Sequence, residues 1–521
     1  MNIEEEAHKI RVEDLIAVCK GAKTVDEIQE TVRMLNETIF RTSKLSDVSE
    51  LLIHVIQPLL KEARREPVLL FHAYGWQFGG AERLIAGLTN YLARKKYRIL
   101  VTVFEPIRND GFQLDPSIAF IPIFENDRRI DRLITLVEML SPDLFIGNNN
   151  SIPELAAVYP VFRQSGIRTI AYTLEYYFYP HRNPELASTV IARNQALALA
   201  NVSCFLTRFS ANAYGMAYPN AAVMQGLTSF SIPDYDSGKQ SGKTVIAVGR
   251  FTDPIKRLDR ILIAFRHLLK NHPDARLLIV GPYDLEAKIP RNAKETIGEL
   301  LKQTGVSDSR VRFVGEQERT QDFYSQGDVF VLTSDSEGFP LVLNEAGSYG
   351  LPAVIVDIPG LEDIITEGEN GYIVPQDNMR AMADKISSLF DDSELLKKMS
   401  SKAREMVGRY SIDQVGPRWE ELIRSVLSNS DQKELNRILA ERFMGEIVNK
   451  KTFCRTIVKE YEQTATMLSA VPKVRSTRIQ LDEIESIAVK FVNHLKDYGP
   501  RATVRKSIFK LKGLWQRRFG K

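Results

Sequence analysis

The stretch richest in chemistry runs Thr333-Ser334-Asp335-Ser336-Glu337-Gly338-Phe339-Pro340-Leu341-Val342-Leu343-Asn344-Glu345. Val329 to Leu332 before it has the pattern of a buried strand, and the proline stands near the first position of a helix, where its missing N–H costs nothing. The amides of Gly338 to Val342 then form a site for phosphate at the positive end of that helix. Glu337 precedes the helix and Glu345 lies about a turn and a half inside it. Two carboxylates can thus grip different hydroxyls of one ligand whose phosphates rest on the amides between them. An isolated pair of this kind is most often a capped, solvated helix start. A basic element upstream changes that weighting. Val248-Gly249-Arg250 closes a predicted strand and Lys256-Arg257 follow in the turn that opens the next helix. Arg250 and Lys256 near a strand end are what a diphosphate needs, for binding and for stabilising it as a leaving group.

Alternating strands and helices must position these residues, and two series of them are present. From Pro67, Val68-Leu69-Leu70-Phe71 is an apolar run that ends in Gly75 and Gly79-Gly80, followed by an amphipathic stretch over 81–94 and a strand over 98–104. That is the building unit of a parallel sheet. Further strands are expected at 144–147, 169–173 and 203–206, and a polar, glycine-bearing linker at 237–242. A second series then sets strands at 244–248, 276–280, 311–313, 329–332 and 353–356 among helices near 258–270, 293–303, 319–326, 341–349 and 379–389. The fold class is α/β, with two doubly wound parallel-sheet domains and a ligand site at the carboxyl ends of their strands, in the cleft between them. The expected divisions are a helical N-terminal extension over 1–66, domains over 67–240 and 241–428, and a helical C-terminal extension over 429–521.

Taken together, the motifs resemble those of the glycosyltransferases of family 4, which have the GT-B fold of two facing Rossmann-like domains. The resemblance rests on Val248-Gly249-Arg250 with Lys256, Phe313-Val314-Gly315, Gly327-Asp328-Val329-Phe330-Val331-Leu332, Glu337-Gly338-Phe339-Pro340 with Glu345, and Gly368-Glu369-Asn370-Gly371-Tyr372-Ile373-Val374-Pro375. Gly79-Gly80-Ala81-Glu82-Arg83 is similar to the family's glycine loop facing the acceptor. The resemblance is dense from Thr244 to about Leu427, thinner over 67–235, and absent at both ends. It implies that 67–240 is the acceptor domain and 241–428 the donor domain. It further implies that Arg250 and Lys256 hold the donor diphosphate, that Glu337 contacts the donor sugar, and that Glu345 contacts the ribose. Gly249, Gly315, Gly338 and Phe339 would complete the donor site, the last two through their backbone, while Gly79 and Gly80 serve the acceptor side.

Transfer with retention of configuration, a nucleotide-diphosphate sugar as donor, and no metal or other cofactor are implied as well. Asp335-Ser336-Glu337 has the outward form of a metal-binding acid triplet, but it coincides with the sugar motif. Two departures bear on acceptor and sugar identity. Gly147-Asn148-Asn149-Asn150 stands where many members carry a histidine, and Pro359-Gly360-Leu361-Glu362-Asp363 replaces a turn of two glycines and an acid. Glu175-Tyr176-Tyr177-Phe178-Tyr179-Pro180-His181 is similar to a segment of some bacterial rhamnosyltransferases, which makes rhamnose from a dTDP donor one candidate and a buried aromatic corner the other reading. His72, at the end of the first strand, is either in the cleft or structural, and Cys204 reads as a small core residue.

Composition sets the surroundings. Hydrophobic residues make up 44% and charged residues 26% of the 521, enough apolar material for more than one core. The sequence contains no apolar run of the roughly 18 residues a membrane span needs, and its acidic N-terminus is unlike a secretion signal. Cys19, Cys204 and Cys454 form neither a disulfide framework nor a metal cluster, so a cytoplasmic location is expected. The formal charge of +3 hides an asymmetry: Tyr498 to Lys521 holds eight Lys or Arg and no acid. That argues against nucleic-acid binding by the body and for contact of the tail with something anionic. Over 501–521, Ile508, Leu511, Trp515 and Phe519 share one helix face, the composition of an interfacial helix on anionic lipid; a solvated tail or a helix packed on the body is the other reading.

The expected function is therefore that of a retaining glycosyltransferase, with a hexose or rhamnose as the transferred sugar. It works at the cytoplasmic membrane on a glycan or lipid-linked saccharide, in cell-surface polysaccharide synthesis. The rivals are a non-catalytic GT-B subunit that stabilises a partner enzyme and an epimerase or phosphorylase of the same fold. Intact Arg250, Lys256, Glu337 and Glu345 count against the scaffold.

Overall fold

A computed structural model describes residues 66–460 apart from 77–78, 105–111, 124–128, 149–157, 179–189, 229–241, 291, 306–309, 318, 448–451, 454 and 458. The expected N-terminal helices up to residue 65, the linker over 237–241 and the basic tail at 501–521 lie outside the described residues. The chain divides into two compact units, one ending at Met224 and resuming at Gly416, the other spanning Gln225–Val415.

The first unit contains β1 (Val68–Ala73), α1 (Gly80–Ala93), β2 (Arg98–Val103), β3 (Ala119–Pro122), α2 (Arg129–Leu140), β4 (Leu144–Gly147), α3 (Val158–Gln164), β5 (Arg168–Thr173), α4 (Val190–Leu199), β6 (Val202–Phe205), α5 (Arg208–Gly215) and β7 (Ala221–Val223). Among the described residues the strands form one parallel sheet in the order β3-β2-β1-β4-β5-β6-β7. Every residue of β1 is buried. A strand covered on both faces reads as a continuous apolar run, which is why Val68 to Phe71 stood out.

The second unit contains β8 (Thr244–Val248), α6 (Leu258–Leu268), β9 (Arg276–Val280), β10 (Lys288–Ile289), β11 (Asn292–Thr296), α7 (Ile297–Thr304), β12 (Val311–Gly315), α8 (Gln321–Tyr324), β13 (Val329–Leu332), α9 (Leu341–Ser348), β14 (Ala353–Val356), β15 (Gly371–Val374), α10 (Met379–Asp391) and α11 (Ser393–Val407). Its parallel sheet runs β12-β9-β8-β13-β14-β15. The order reverses between β8 and β13, so this is the topological switch point, where the loops leaving the two strands diverge and leave room for a ligand. The helix expected near 293–303 begins only at Ile297, because Thr296 and Glu299 close a capping box there and the antiparallel β10–β11 hairpin occupies the residues before it.

Two expected boundaries move. The second unit starts at Gln225 instead of 241 because the chain just after β7 is already held by it: the Thr228 amide donates to the Tyr410 carbonyl at 2.7 Å, and Gly226 lies against the Phe339 ring. It ends at Val415 instead of 428 because α12 (Ile412–Ser428) buries Trp419, Leu422, Ile423 and Val426, with Trp419 edge-on to Tyr172 of β5 at 4.9 Å. Tyr91 of α1 donates to Glu420 at 2.6 Å, and α13 (Gln432–Arg442) follows on the same unit. Contacts, not a change in composition, set these limits.

Candidate functional site

The loops that leave β8 and β13 are stitched together. Asp253 caps a short 3-10 turn, Pro254–Lys256, accepting from the Ile255 amide at 3.0 Å. The Thr333 hydroxyl donates to the carbonyls of Lys256 and Arg257, 3.1 Å to each, and the Asp335 amide donates to the Ile255 carbonyl at 2.8 Å. This puts Lys256 Nζ 2.7 Å from Glu337 Oε1, with side-chain exposures of 25% and 10%. Two residues far apart in sequence thus share one ion pair at the switch point. Arg250 is exposed at the end of β8.

Arg257 has φ 53° and is 4% exposed. Its guanidinium clamps both oxygens of Asp259, at 3.0 and 2.8 Å, and reaches Asp335 at 3.1 Å. Burial works against its charge, yet the hydrogen bonds and charges of Asp259 and Asp335 hold its pKa above the ordinary arginine value. Arg260, also buried, donates to the Thr333 carbonyl at 2.9 Å and pairs with Asp335 at 2.8 Å and Asp377 at 3.1 Å. Sequence reading named Arg257 and Asp335 without giving either this role, and missed Arg260. The available signal was the charge density of Lys256-Arg257-Leu258-Asp259-Arg260 at the start of a helix whose apolar positions must be buried.

Glycines clear the neighbouring strand ends. Gly281, just past β9, has φ 122°, and a Cβ there would stand 2.0 Å from the Gly249 carbonyl oxygen. Its amide donates to the Gly315 carbonyl at 2.8 Å, and Gly315 itself has φ 80°. Gly249, Gly281 and Gly315 therefore bring three strand ends together with no side chain at these positions. Gly281 joins the expected pair Gly249 and Gly315.

Pro340 is the cap residue of α9, one position earlier than expected, and makes no side-chain cap. The Leu343 amide turns back to the Pro340 carbonyl at 2.9 Å, while the amides of Gly338, Phe339, Leu341 and Val342 find no acceptor among the described residues. Such a helix end is suited to an anion. The Phe339 ring is packing: it is buried, edge-on to Tyr410 at 5.2 Å, which leaves its backbone for the expected role. Glu345 is 3% exposed, and its Oε2 accepts from the Tyr324 hydroxyl at 2.6 Å. Tyr324, a buried residue of α8 stacked on Tyr349 at 5.6 Å, is a further site-region residue that sequence reading missed.

In the first unit Gly79 caps α1 and accepts from the Arg83 amide at 3.1 Å, and Gly80 is the first residue of that helix. His72 is buried, edge-on to Phe104 at 4.2 Å, in keeping with the structural reading, and the Asn148 amide donates to its carbonyl at 3.0 Å. Tyr176, Tyr177 and Phe178 are buried among Phe205, Phe209 and Tyr214, so this part of the aromatic run serves packing; Tyr179, Pro180 and His181 lie outside the described residues. Cys204 is buried in β6, its thiol pushed far up by burial. In the segment that departs from the family turn, Gly360 has φ 98° and its amide is capped by Glu362 at 2.7 Å. Among the described residues no group of three His, Cys, Asp or Glu is placed to hold a metal, and no helix is long and apolar enough to cross a membrane.

Residues 236–406, which contain Arg250, Lys256, Glu337 and Glu345, match the family model described as Glycosyl transferases group 1. These residues form a group 1 glycosyltransferase domain. The chain is 35% identical over 232 residues to the exopolysaccharide phosphotransferase SCO2592 of Streptomyces coelicolor, which covers 44% of this chain and 23% of that protein. It is 31% identical over 170 residues to the N-acetyl-alpha-D-glucosaminyl L-malate synthase of Bacillus anthracis, covering 32% and 41%. The chain spans about a quarter to a half of the length of the curated relatives it matches. The crystal structure of Anabaena Alr3699/HepE in complex with UDP superposes with a TM-score of 0.57 at 16% identity, over 69% of this chain and 100% of that one. The glycosyltransferase domain and the first parallel-sheet unit together have the GT-B fold.

Proposed function

We propose that the protein is a retaining glycosyltransferase that moves a hexose or rhamnose from a nucleotide-diphosphate sugar to a glycan or lipid-linked saccharide, in polysaccharide synthesis at the inner face of the cell membrane. The observation that carries the reading is the Lys256–Glu337 pair at the switch point of a group 1 glycosyltransferase domain, beside an uncapped helix end. The UDP held by the Anabaena protein and the exopolysaccharide named for the Streptomyces relative support a nucleoside diphosphate on the donor side and a glycan on the acceptor side.

Lys256 and Glu337 neutralise each other across their 2.7 Å contact. A donor entering between them gives its diphosphate to Lys256, Arg250 and the amides of Gly338 to Val342, and its sugar hydroxyls to Glu337. As the bond from the anomeric carbon to the diphosphate breaks, negative charge grows on the phosphate oxygen. Arg250 and Lys256 meet that charge where it develops. The acceptor oxygen forms the new bond on the same face, and its proton leaves with the departing phosphate oxygen. In this reading the two cations do the work a metal would otherwise do, and no metal or other cofactor is required. The basic tail at 501–521 supplies the contact with an anionic membrane.

The test incubates a panel of nucleotide sugars with the protein and membrane lipid extract, following free nucleoside diphosphate and labelled product. One donor should turn over, and Lys256→Ala and Glu337→Ala should each lower kcat by about 10²–10³-fold. Absence of turnover together with absence of nucleotide binding would sink the reading in favour of a non-catalytic subunit.

A further inference from the structure

Lys256 and Glu337 lie on different loops, 81 residues apart, yet meet within 2.7 Å. Any device that registers one loop against the other controls that distance. The residue after Lys256 is Arg257, and its backbone has φ 53°, a conformation that glycine adopts freely and a side-chain-bearing residue adopts at a cost. A need for the turn alone is met by glycine. The arginine does something else as well. Two of its nitrogens are fixed on Asp259 at the start of its own helix, which orients the guanidinium, and the third reaches across to Asp335, two residues before Glu337. Arg260 meets the same carboxylate at 2.8 Å. The Asp335 backbone is tied to Ile255 at 2.8 Å, so side chain and main chain of this one residue hold the same two loops.

We infer that Arg257 and Asp335 are positioning residues, an ionic lock that keeps the Lys256 loop in register with the Glu337 loop. This rests on the reading of Lys256 and Glu337 as the donor site for its consequence, though not for its geometry. The lock touches neither sugar nor phosphate. It acts through Lys256, by fixing where that ammonium stands before the donor arrives, so that less ordering remains to be done on binding.

Asp335→Asn is the informative variant. Arg257 keeps Asp259, and Arg260 keeps the Thr333 carbonyl and Asp377, so neither buried cation is stranded. The full-length protein and the variant are compared by hydrogen exchange without ligand, by thermal melting, and by calorimetric titration with UDP, with GDP, ADP and dTDP run beside it. The expected result is exchange about tenfold faster in peptides covering 253–258 and 333–338 together, a Tm within about 2 °C, and nucleotide binding about tenfold weaker, which is ~1.4 kcal/mol. In Arg257→Gln, adding Asp335→Asn should weaken binding little further, as expected of two partners in one interaction. Unchanged exchange in both loops overturns the lock whatever the nucleotide does. Faster exchange spread over all of Gln225–Val415 with a lowered Tm overturns it too, since that is general destabilisation. If both loops loosen together but Lys256→Ala and Glu337→Ala leave nucleotide binding untouched, the lock stands and the donor-site reading falls.

Discussion

Tyr324→Phe removes one oxygen and leaves the ring where it packs. That oxygen donates to Glu345 Oε2 at 2.6 Å, between a tyrosine with no exposure and a carboxylate with 3%. A hydrogen bond to a charged group is worth about 1.5–3 kcal/mol net, and a buried pair belongs to the upper part of that range because water does not replace the lost donor. The stack on Tyr349 at 5.6 Å persists in the variant, so the loss reports the bond and not the packing. For a unit of this size each kcal/mol lowers Tm by about 2–4 °C, which predicts a fall of roughly 3–12 °C. Urea and thermal melts of the parent, Tyr324→Phe, Glu345→Gln and the double variant give both the loss and the coupling, expected at about 1–2 kcal/mol. A loss below about 0.5 kcal/mol, or strictly additive single variants, would refute the view that Tyr324 holds the Glu345 carboxylate in place.

The glycine at the strand ends and the buried phenols of the first unit give two more tests. Gly281→Ala would drive a Cβ into the Gly249 carbonyl at 2.0 Å, against backbone that cannot swing aside, and should destabilise by more than about 4 kcal/mol or abolish soluble expression. Gly305→Ala, at φ 65° with nothing within 4 Å, should cost only about 1 kcal/mol, and similar urea midpoints for the two variants would contradict the close-approach argument. Burial pushes the hydroxyls of Tyr159, Tyr172 and Tyr214 far above their ordinary value of 10. A pKa raised on folding means stability that is fully present below pH 10 and falls as pH rises above it, by about 1.4 kcal/mol per pH unit for each group. The three together lower it by about 4 kcal/mol per unit, about 8 kcal/mol by pH 12, so a unit in the lower half of the usual range of roughly 5–15 kcal/mol should unfold by around pH 12. Absorbance at 295 nm and circular dichroism should therefore change together; full tyrosine ionisation with native dichroism would disprove it.

Much of the fold was legible because its signals are local. An apolar run between turn residues announces a strand buried on both faces, and the alternation of such runs with amphipathic stretches announces two parallel sheets. The two-glutamate motif drew attention for the same reason, as a short stretch with its own chemistry, whereas the roles of Gly249 and Gly315 entered only through the family resemblance. The unforeseen hairpin at 288–296 was hidden because its strands are short and polar and carry little apolar pattern.

What the sequence by itself determined is part of the inventory: most of the strands in their chain order, though not β3, β7, β10, β11 or β15, and that Arg250, Lys256, Glu337 and Glu345 stand at strand ends or on the helices after them. Only the tertiary structure decided which of these meet. Strand order places β8 beside β13 although four strands and three α-helices intervene in the chain, and that adjacency creates the Lys256–Glu337 pair and the Arg257–Asp335 contact. It also returned α12 to the first unit, buried Glu345 against Tyr324, and turned the Tyr176–Phe178 run inward as packing. Periodicity records which face of an element is apolar. The partner that covers that face, or neutralises a buried charge, is chosen by contacts many tens of residues away, which no local pattern encodes.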